Sequence, residues 1–167
     1  MLSKHRLSTS RGFTLLEFAV VVTVVGVLMA VAVPRLADLQ TPARQSQLKS
    51  TLGALRSAAA LFHAQCVTRL ARDGSNSCAV LAVEGATIEG AGGYPAATLK
   101  GIATMAGLRT NSETESGFVL SERRNETPAA LVIEIPGPTP GGCRLLYREP
   151  ATPGAAPDIE VISTPCN

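Results

Sequence analysis

One carboxylate, Glu17, lies at the start of an apolar segment that carries no other charge. Residues 18–33 contain no charged side chain, and counted from Phe13 the segment has the length of about 20 apolar residues that a helix needs to cross a bilayer. A charge in a lipid-embedded helix costs about 2.5–3.5 kcal/mol, so an acid here indicates a function and not only an anchor. The junction of Gly12 and Phe13 is also unusual in front of a simple anchor.

Residues 12–17, GFTLLE, resemble the class III signal of type IV pilins and type II secretion pseudopilins. The short basic leader before them and the apolar helix after them resemble the same pattern. The resemblance implies that a prepilin peptidase cleaves after Gly12 and methylates the new amino terminus at Phe13. It also implies that Glu17, the fifth residue of the mature chain, acts in the assembly of subunits into a helical filament.

The position of Glu17 is compatible with this assembly role. After cleavage the amine of Phe13 is charged at neutral pH, because an α-amino group titrates at about 8. Helix residues four apart share a face, so Glu17 can lie near its own terminus or near that of a neighbouring helix. Pairing of the two charges offsets part of their burial cost, and we expect it to select the packing register. The simpler alternative is that Glu17 marks the cytoplasmic edge of an anchor and reaches the headgroups.

The net charge of +2 comes from the leader. Residues 1–12 hold three of the 15 Lys and Arg residues and none of the 13 acids, so 12 cations and 13 acids remain and the net charge becomes −1. The basic balance therefore does not predict nucleic acid as a partner. Cations beside the first apolar helix stay in the cytoplasm, which predicts a single-pass precursor in the inner membrane with its C-terminal part outward.

An ordinary secretory signal is the alternative from another functional class. A basic start, an apolar run and the residues Ala30, Val31 and Ala32 fit such a signal, with Val33 as the first residue after cleavage. The product would be a secreted or membrane-anchored binding domain. Two residues count against it, because Glu17 interrupts the start of the apolar run and Pro34 directly follows the cleavage site.

We divide the chain into a leader, a membrane and filament-core helix, an amphipathic helix and a β-sheet domain, at residues 1–12, 13–34, 35–73 and 74–167. Gly26 and Pro34 weaken the first helix, since glycine costs about 1 kcal/mol and proline about 3 kcal/mol in a helix interior. We expect a kink at Pro34, where the helix leaves the bilayer. The resemblance to type IV pilins implies that Gly26 and Pro34 also let the helix loosen during assembly.

A stripe of apolar residues predicts that the second helix packs on a sheet. Its members recur at steps of three and four residues: Leu48, Leu52, Leu55, Ala59, Phe62, Cys66 and Leu70. Six short strands are expected after it, with a loop at residues 90–95 and a short helix at 99–107; the strands lie at residues 78–84, 86–89, 117–121, 129–135, 144–147 and 159–162. The predicted class is α+β, a pilin fold whose long N-terminal helix, apolar in its first half, packs on a four- to five-stranded, mostly antiparallel sheet.

Later parts of the chain resemble mannose-sensitive haemagglutinin-type pilins. Residues 93–98, GYPAAT, resemble their glycine-tyrosine-proline segment, and residues 143–147 and 156–157 before Cys166 resemble their C-terminal end. The resemblance implies a pilus used in adhesion or surface motility. A type II secretion pseudopilin or a minor pilin, serving protein secretion or DNA uptake, remains the alternative within the superfamily. The acids after Cys143 are scattered among prolines, so we predict no calcium site.

Four cysteines on an exported domain predict two disulfides, for which three connectivities exist. We favour Cys66–Cys78, which joins the helix end to the first strand, and Cys143–Cys166, which closes the tail; each contributes about 3 kcal/mol. The second also resembles the closed "D-region" of type IV pilins. The chain has no C-x-x-C pair and little histidine, which argues against zinc, and no metal or cofactor is predicted.

The remaining polar residues do not predict an enzyme. His63 is expected to be packed or solvated, Glu113 and Glu115 to be solvated in a loop, and Arg123 and Arg124 to form a solvated basic turn. The predicted function is a structural subunit of a type IV pilus-like filament, first in the inner membrane and then outside the cell. Its predicted partners are other copies of itself, the prepilin peptidase, the assembly platform of the inner membrane, and membrane lipid before assembly.

Overall fold

Two helices, seven strands and one short helical segment make up the described part of the chain. The structure, a computed structural model, describes residues 13–74, 77–108, 117–137, 141–152, 154–164 and 166. The chain separates into two compact units, Met1–Gln40 and Thr41–Asn167. The second unit contains the sheets and the hydrophobic core, so the predicted α+β class is confirmed.

The first helix, α1, spans Leu15–Asp38 and runs through Pro34. Proline lacks the N–H that would bond to the carbonyl of Ala30, but one missing bond does not end this helix. It ends instead at a turn, where the N–H of Leu39 donates to the carbonyl of Leu36 at 3.2 Å. The helix therefore extends four residues beyond its predicted end at residue 34, and the kink at Pro34 stays a prediction.

The second helix, α2, spans Gln40–Asp73 and presents one face to the core. Pro42 lies in its first turn, where backbone N–H groups have no partner within the helix, so proline is tolerated there. The apolar stripe predicted from the spacing is confirmed, since five of its seven members are buried and the other two are half-buried in the core. Gly74, at φ +63°, follows the last turn, and its N–H donates to the carbonyl of Leu70 at 3.1 Å.

The first sheet has three antiparallel strands, β1 (Val80–Val83), β2 (Ala86–Ala91) and β3 (Tyr94–Pro95). Two-residue turns connect them at Glu84-Gly85 and Gly92-Gly93, and all four turn residues have positive φ. Positive φ at both central residues is the requirement of the type I′ turn, which suits right-handed strand twist. The loop predicted at residues 90–95 was therefore wrong, because the glycine pair closes a second hairpin.

The second sheet has four antiparallel strands, β4 (Val119–Arg123), β5 (Ala130–Glu134), β6 (Arg144–Arg148) and β7 (Asp158–Ile162), in that spatial order. Opposite residues alternate between the two faces, and the pairs Leu131–Tyr147 and Ile133–Leu145 face α2 in the core. This four-stranded antiparallel sheet agrees with the predicted sheet of four to five strands, and the three-stranded sheet is an additional sheet that the prediction did not separate. The difference arises because β2 pairs with β3, and a helical segment then separates β3 from β4.

That helical segment covers Leu99–Ala103 and is shorter than the predicted helix at residues 99–107. Thr98 caps it, with its hydroxyl oxygen accepting from the N–H of Gly101 at 2.9 Å. Gly101 has non-helical backbone angles, and a Cβ there would collide with the carbonyl of Ala96. The backbone of residues 96–101 is thus folded so tightly that only glycine fits at this position.

Three clusters of buried side chains form the core: a small one of Ala130, Val132 and Leu146 on β5 and β6, and two main ones. The larger main cluster joins α2, the segment Leu99–Ala103, β5 and β6, and the smaller main cluster joins the C-terminal half of α2 to β1 and β2. In the smaller main cluster Phe62 packs so close to β2 that a Cβ at Gly90 would lie 2.6 Å from its ring. The glycine in β2 therefore allows the strand to approach the helix.

Candidate functional site: an exposed apolar helix with one acid

Thr14 determines where α1 begins. Its hydroxyl oxygen accepts a hydrogen bond from the N–H of Glu17 at 3.2 Å, and its carbonyl accepts from the N–H of Phe18 at 3.1 Å. Thr14 and Glu17 have the spacing of a capping box, in which a threonine cap and an acid three residues later stabilise the first turn. The same T-x-x-E pattern is present in the sequence and is a signal from which this helix start could have been predicted. Glu17 therefore also belongs to the capping box that starts α1.

The surface of α1 is apolar and exposed along its length. Residues 13–36 are all exposed, and the exposed fractions of the two aromatic residues, Phe13 and Phe18, are 78% and 64%. The segment Leu15–Leu36, with a mean hydropathy of 2.6, is long and apolar enough to cross a membrane by length and composition. So large a continuous apolar surface requires lipid or other apolar helices around it.

The polar group in the middle of this surface is satisfied within the helix. The hydroxyl of Thr23 donates to the carbonyl of Val20 at 2.8 Å, so this side chain needs no outside partner. Since residues 18–33 carry no charge, Glu17 is the single charged side chain in the apolar part of α1 that precedes Pro34. Its exposed carboxylate is the one charged group that this apolar part of α1 offers to a specific partner.

Gly26 and Pro34, the predicted points of flexibility, have different surroundings. A Cβ at Gly26 would meet no atom within 4 Å, so no contact inside the chain requires glycine there. Pro34 lies inside the regular helix. Their role in helix loosening stays a prediction. Gly12, the predicted cleavage residue, lies outside the described residues, and Phe13 is the first residue described.

All four cysteines are paired, in the connectivity that the sequence analysis favoured. Cys66–Cys78, with its Cα atoms 5.7 Å apart, connects the C-terminal part of α2 to the segment before β1. Cys143–Cys166, with its Cα atoms 4.9 Å apart, lies in the larger core cluster and anchors the end of the chain. Both disulfides are buried, so they belong to the core and not to an exposed redox site.

His63 is half-buried in the second unit and packs on Tyr94. Its ring stacks on Tyr94, with ring centres 4.3 Å apart and ring planes inclined by 7°. Its Nδ1 lies 3.0 Å from the carbonyl oxygen of Gly93. A hydrogen bond from the hydroxyl of Tyr147 to the carbonyl of Pro95, 2.8 Å long, holds the same segment from the opposite side. Residues 93–98 are thus a packed structural segment of the domain.

Arg123 and Arg124 are exposed but paired with acids. The Arg124 Nε lies 2.7 Å from Glu122, and the Arg123 Nη1 lies 3.0 Å from Glu126. The hydrogen bond from Arg124, and a second from the N–H of Leu99, lower the pKa of Glu122. Glu113 and Glu115 lie outside the described residues. Where the structure describes the chain, no group of three or more His, Cys, Asp or Glu residues is arranged to hold a metal ion.

Comparison with known proteins bears on α1. The model of the family described as the prokaryotic N-terminal methylation motif matches residues 7–33. The type IV narrow pilus major component PilA5 of Thermus thermophilus is 45% identical over 56 residues, 34% of this chain and 48% of the relative. The type IV major pilin protein PilA of Myxococcus xanthus is 39% identical over 56 residues, 34% of this chain and 26% of the relative. These matches support the type IV pilin superfamily.

The similarity to the superfamily is concentrated in part of the chain. The matches span about half the length of the Thermus relative and about a quarter of the Myxococcus relative. No solved structure gives a significant match. The more specific resemblance to mannose-sensitive haemagglutinin-type pilins rests on residues 93–98 and the C-terminal end, and it stays a prediction.

Proposed function

We propose that the chain is a structural subunit of a type IV pilus-like filament. The observation that carries the proposal is α1, an exposed apolar helix with one acid in its first turn, in the segment that matches the methylation motif. The two relatives are described as major pilus components, which favours a pilus subunit over a type II secretion pseudopilin or a minor pilin. Adhesion or surface motility is the proposed use, and we propose no enzymatic activity.

The proposed route starts in the inner membrane. The precursor spans it once through α1, with Thr41–Asn167 on the outer side, because the basic leader stays in the cytoplasm. The prepilin peptidase then cleaves after Gly12 and methylates Phe13. With the assembly platform, α1 moves from lipid into a filament core made by the same helix of other copies, so its apolar surface remains covered throughout.

Glu17 is the residue that we propose sets the register of this packing. An unpaired charge in apolar surroundings costs about 2.5–3.5 kcal/mol on insertion scales. A position in which Glu17 meets the amino terminus of a neighbouring Phe13 recovers part of that cost, and a shifted position does not. The same charge that is unfavourable in lipid therefore favours one arrangement of subunits over the others.

The first test is the intact mass and N-terminal sequence of the protein from membranes and from sheared surface material. We expect the chain to begin at a methylated Phe13 and to be abundant in the sheared fraction. A chain that begins at Val33 would instead identify an ordinary secreted domain, and the role of α1 in assembly would be refuted.

The second test separates assembly from helix capping. We expect Glu17→Ala to abolish filaments while the protein still inserts into the membrane. Thr14→Ala removes the cap, at a cost of about 1 kcal/mol, but leaves the carboxylate, so filaments should persist. Glu126→Gln, at an exposed acid of the β4–β5 turn, is the matched control for charge and should assemble normally. Normal filaments from Glu17→Ala, or equal loss in both α1 variants, would contradict the proposal.

A further inference from the structure

Three consecutive residues, 97–99, are held by three different glutamates. The N–H of Ala97 donates to Glu149 at 2.8 Å and the N–H of Leu99 donates to Glu122 at 2.7 Å. Between them the hydroxyl of Thr98 donates to Glu89 at 2.7 Å. Hydrogen bonds to ionised acceptors are about twice as strong as neutral ones, so each of these three bonds is stronger than a neutral bond of the same geometry.

The three glutamates come from both sheets. Glu89 lies in β2 of the first sheet, Glu122 lies in β4 of the second, and Glu149 directly follows β6. Residues 97–99 therefore connect the two sheets at a point where no strand pairing joins them. We call residues 97–99 the latch.

One cation, Arg124, interacts electrostatically with all three carboxylates. Arg124 forms an ion pair with Glu122 at 2.7 Å and also lies in the fields of Glu89 and Glu149. Lys100 directly follows the latch and is exposed, and the other titratable groups near it are Tyr147, Tyr94 and His63. Glu149 and Tyr94 both act electrostatically on Tyr147, and His63 stacks on Tyr94. The latch region thus has three acids and two basic side chains, Arg124 and Lys100, and its net charge changes sign when the acids are protonated.

We propose that the latch is an acid-sensitive connection between the two sheets, which opens before the rest of the domain unfolds. Protonation of a glutamate removes the negative charge that strengthens its bond to the latch. The parts on either side are held by means that do not titrate in acid, namely the disulfides and the apolar contacts of α2. This property belongs to the subunit and does not depend on whether the subunit forms filaments.

The direction of the effect follows from the bonding at Glu122. Its bonds to Arg124 and to the N–H of Leu99 lower its pKa below the ordinary value. A carboxylate with a lowered pKa contributes stability that is complete above the ordinary pKa of about 4.3 and is lost as the pH falls further. The latch is therefore closed at neutral pH, and the contribution of Glu122 to it weakens progressively as the pH falls below the ordinary value.

The chain carries its own reporters of this event. It has two tyrosines and no tryptophan. Tyr94 lies in the segment that leads into the latch and stacks on His63, and Tyr147 donates a hydrogen bond to Pro95 of the same segment. The near-ultraviolet circular dichroism of the full mature chain in detergent therefore reports on this region. The far-ultraviolet signal reports mainly on the helices α1 and α2.

The experiment is an acid titration from pH 7 to pH 2.5 that follows both signals. We expect the tyrosine signal to change at a higher pH than the helix signal. In the triple variant Glu89→Gln, Glu122→Gln, Glu149→Gln, the amide oxygens still accept hydrogen bonds but do not titrate, so the early tyrosine transition should disappear. Glu126→Gln, an exposed acid in the turn after β4, is the control and should leave the transition in place.

Two results would overturn the proposal. One is a wild-type titration in which the tyrosine and helix signals change together, and the other is a triple variant that keeps the early transition. Should the triple variant fail to fold, the three single glutamine variants are titrated separately. Each should move the midpoint of the tyrosine transition, and an unchanged midpoint in all three would also refute the latch.

Discussion

Replacing Tyr147 by phenylalanine tests a polar contact in the centre of the domain. The ring is fully buried, and its hydroxyl donates to the carbonyl oxygen of the buried Pro95 at 2.8 Å. Phenylalanine keeps the ring, so no large cavity forms, but the carbonyl loses its donor. An unsatisfied buried polar group costs about 1–3 kcal/mol. We expect the free energy of unfolding at pH 7 to fall by that amount.

The same substitution should change how stability depends on alkaline pH. Burial raises the pKa of the Tyr147 hydroxyl above its ordinary value, and Glu149 and Tyr94 add to the shift. The neutral phenol is thus favoured in the folded state, so its contribution is complete below about pH 10 and is lost as the pH rises towards the folded-state pKa. The loss is about 1.4 kcal/mol for each pH unit. The wild type should therefore lose its advantage over the variant by about pH 11 to 12.

The assay is urea denaturation of the full mature chain in detergent, followed by far-ultraviolet circular dichroism at neutral pH and at steps above pH 9. A difference between wild type and Tyr147→Phe that narrows above pH 10 supports the buried, hydrogen-bonded hydroxyl. A difference in the free energy of unfolding that stays constant over the whole pH range would refute it. The phenol would then have the same pKa in the folded and unfolded states, as an exposed phenol has. Tyr94→Phe is the control, since its ring remains able to stack on His63.

Two further predictions concern the core. Replacing Cys66 and Cys78 by alanine should lower the free energy of unfolding by about 2.8 kcal/mol, and replacing Cys143 and Cys166 should lower it by about 3.4 kcal/mol, because the bridges span 12 and 23 residues. Free-thiol titration checks the loss of each bridge, and denaturation measures the free energy. A loss of under about 1 kcal/mol in either variant would contradict the prediction. Phe62→Ala should lower the free energy of unfolding by about 3–5 kcal/mol because the ring is fully buried. Phe62→Leu is the milder control. Equal stability of the two variants would show that the ring does not pack as described.

The parts of the fold that were predicted correctly are those encoded by local periodicity. Steps of three and four residues along α2 identified its buried face, since side chains at these spacings must share one side of a helix. The strands of the second sheet were found within one or two residues from their β-branched and apolar runs. Such patterns repeat over several residues, so one exceptional residue does not hide them.

The parts that were missed depend on single residues or on distant partners. The strand β3 has two residues, and the signal for it was the Gly92-Gly93 turn and not a run of strand-forming residues. The latch depends on Glu149, which is 52 positions from its partner Ala97. The type of a single glutamate does not indicate its distant partner, so Arg124 was predicted only as a solvated charge and no role was predicted for the three glutamates.

The start of α1 connects the local structure of Glu17 to its proposed role. Cleavage after Gly12 would place the new amine on Phe13, directly before the cap residue Thr14. The bond between the Glu17 N–H and the Thr14 hydroxyl, 3.2 Å long, keeps the acid in the first turn. The positive end of the helix dipole lies there as well. Glu17 is therefore partly compensated within its own chain while the helix is in lipid. In the proposed assembly, the amine of a neighbouring chain would replace or join this local compensation, so we expect removal of the cap and removal of the acid to have different consequences.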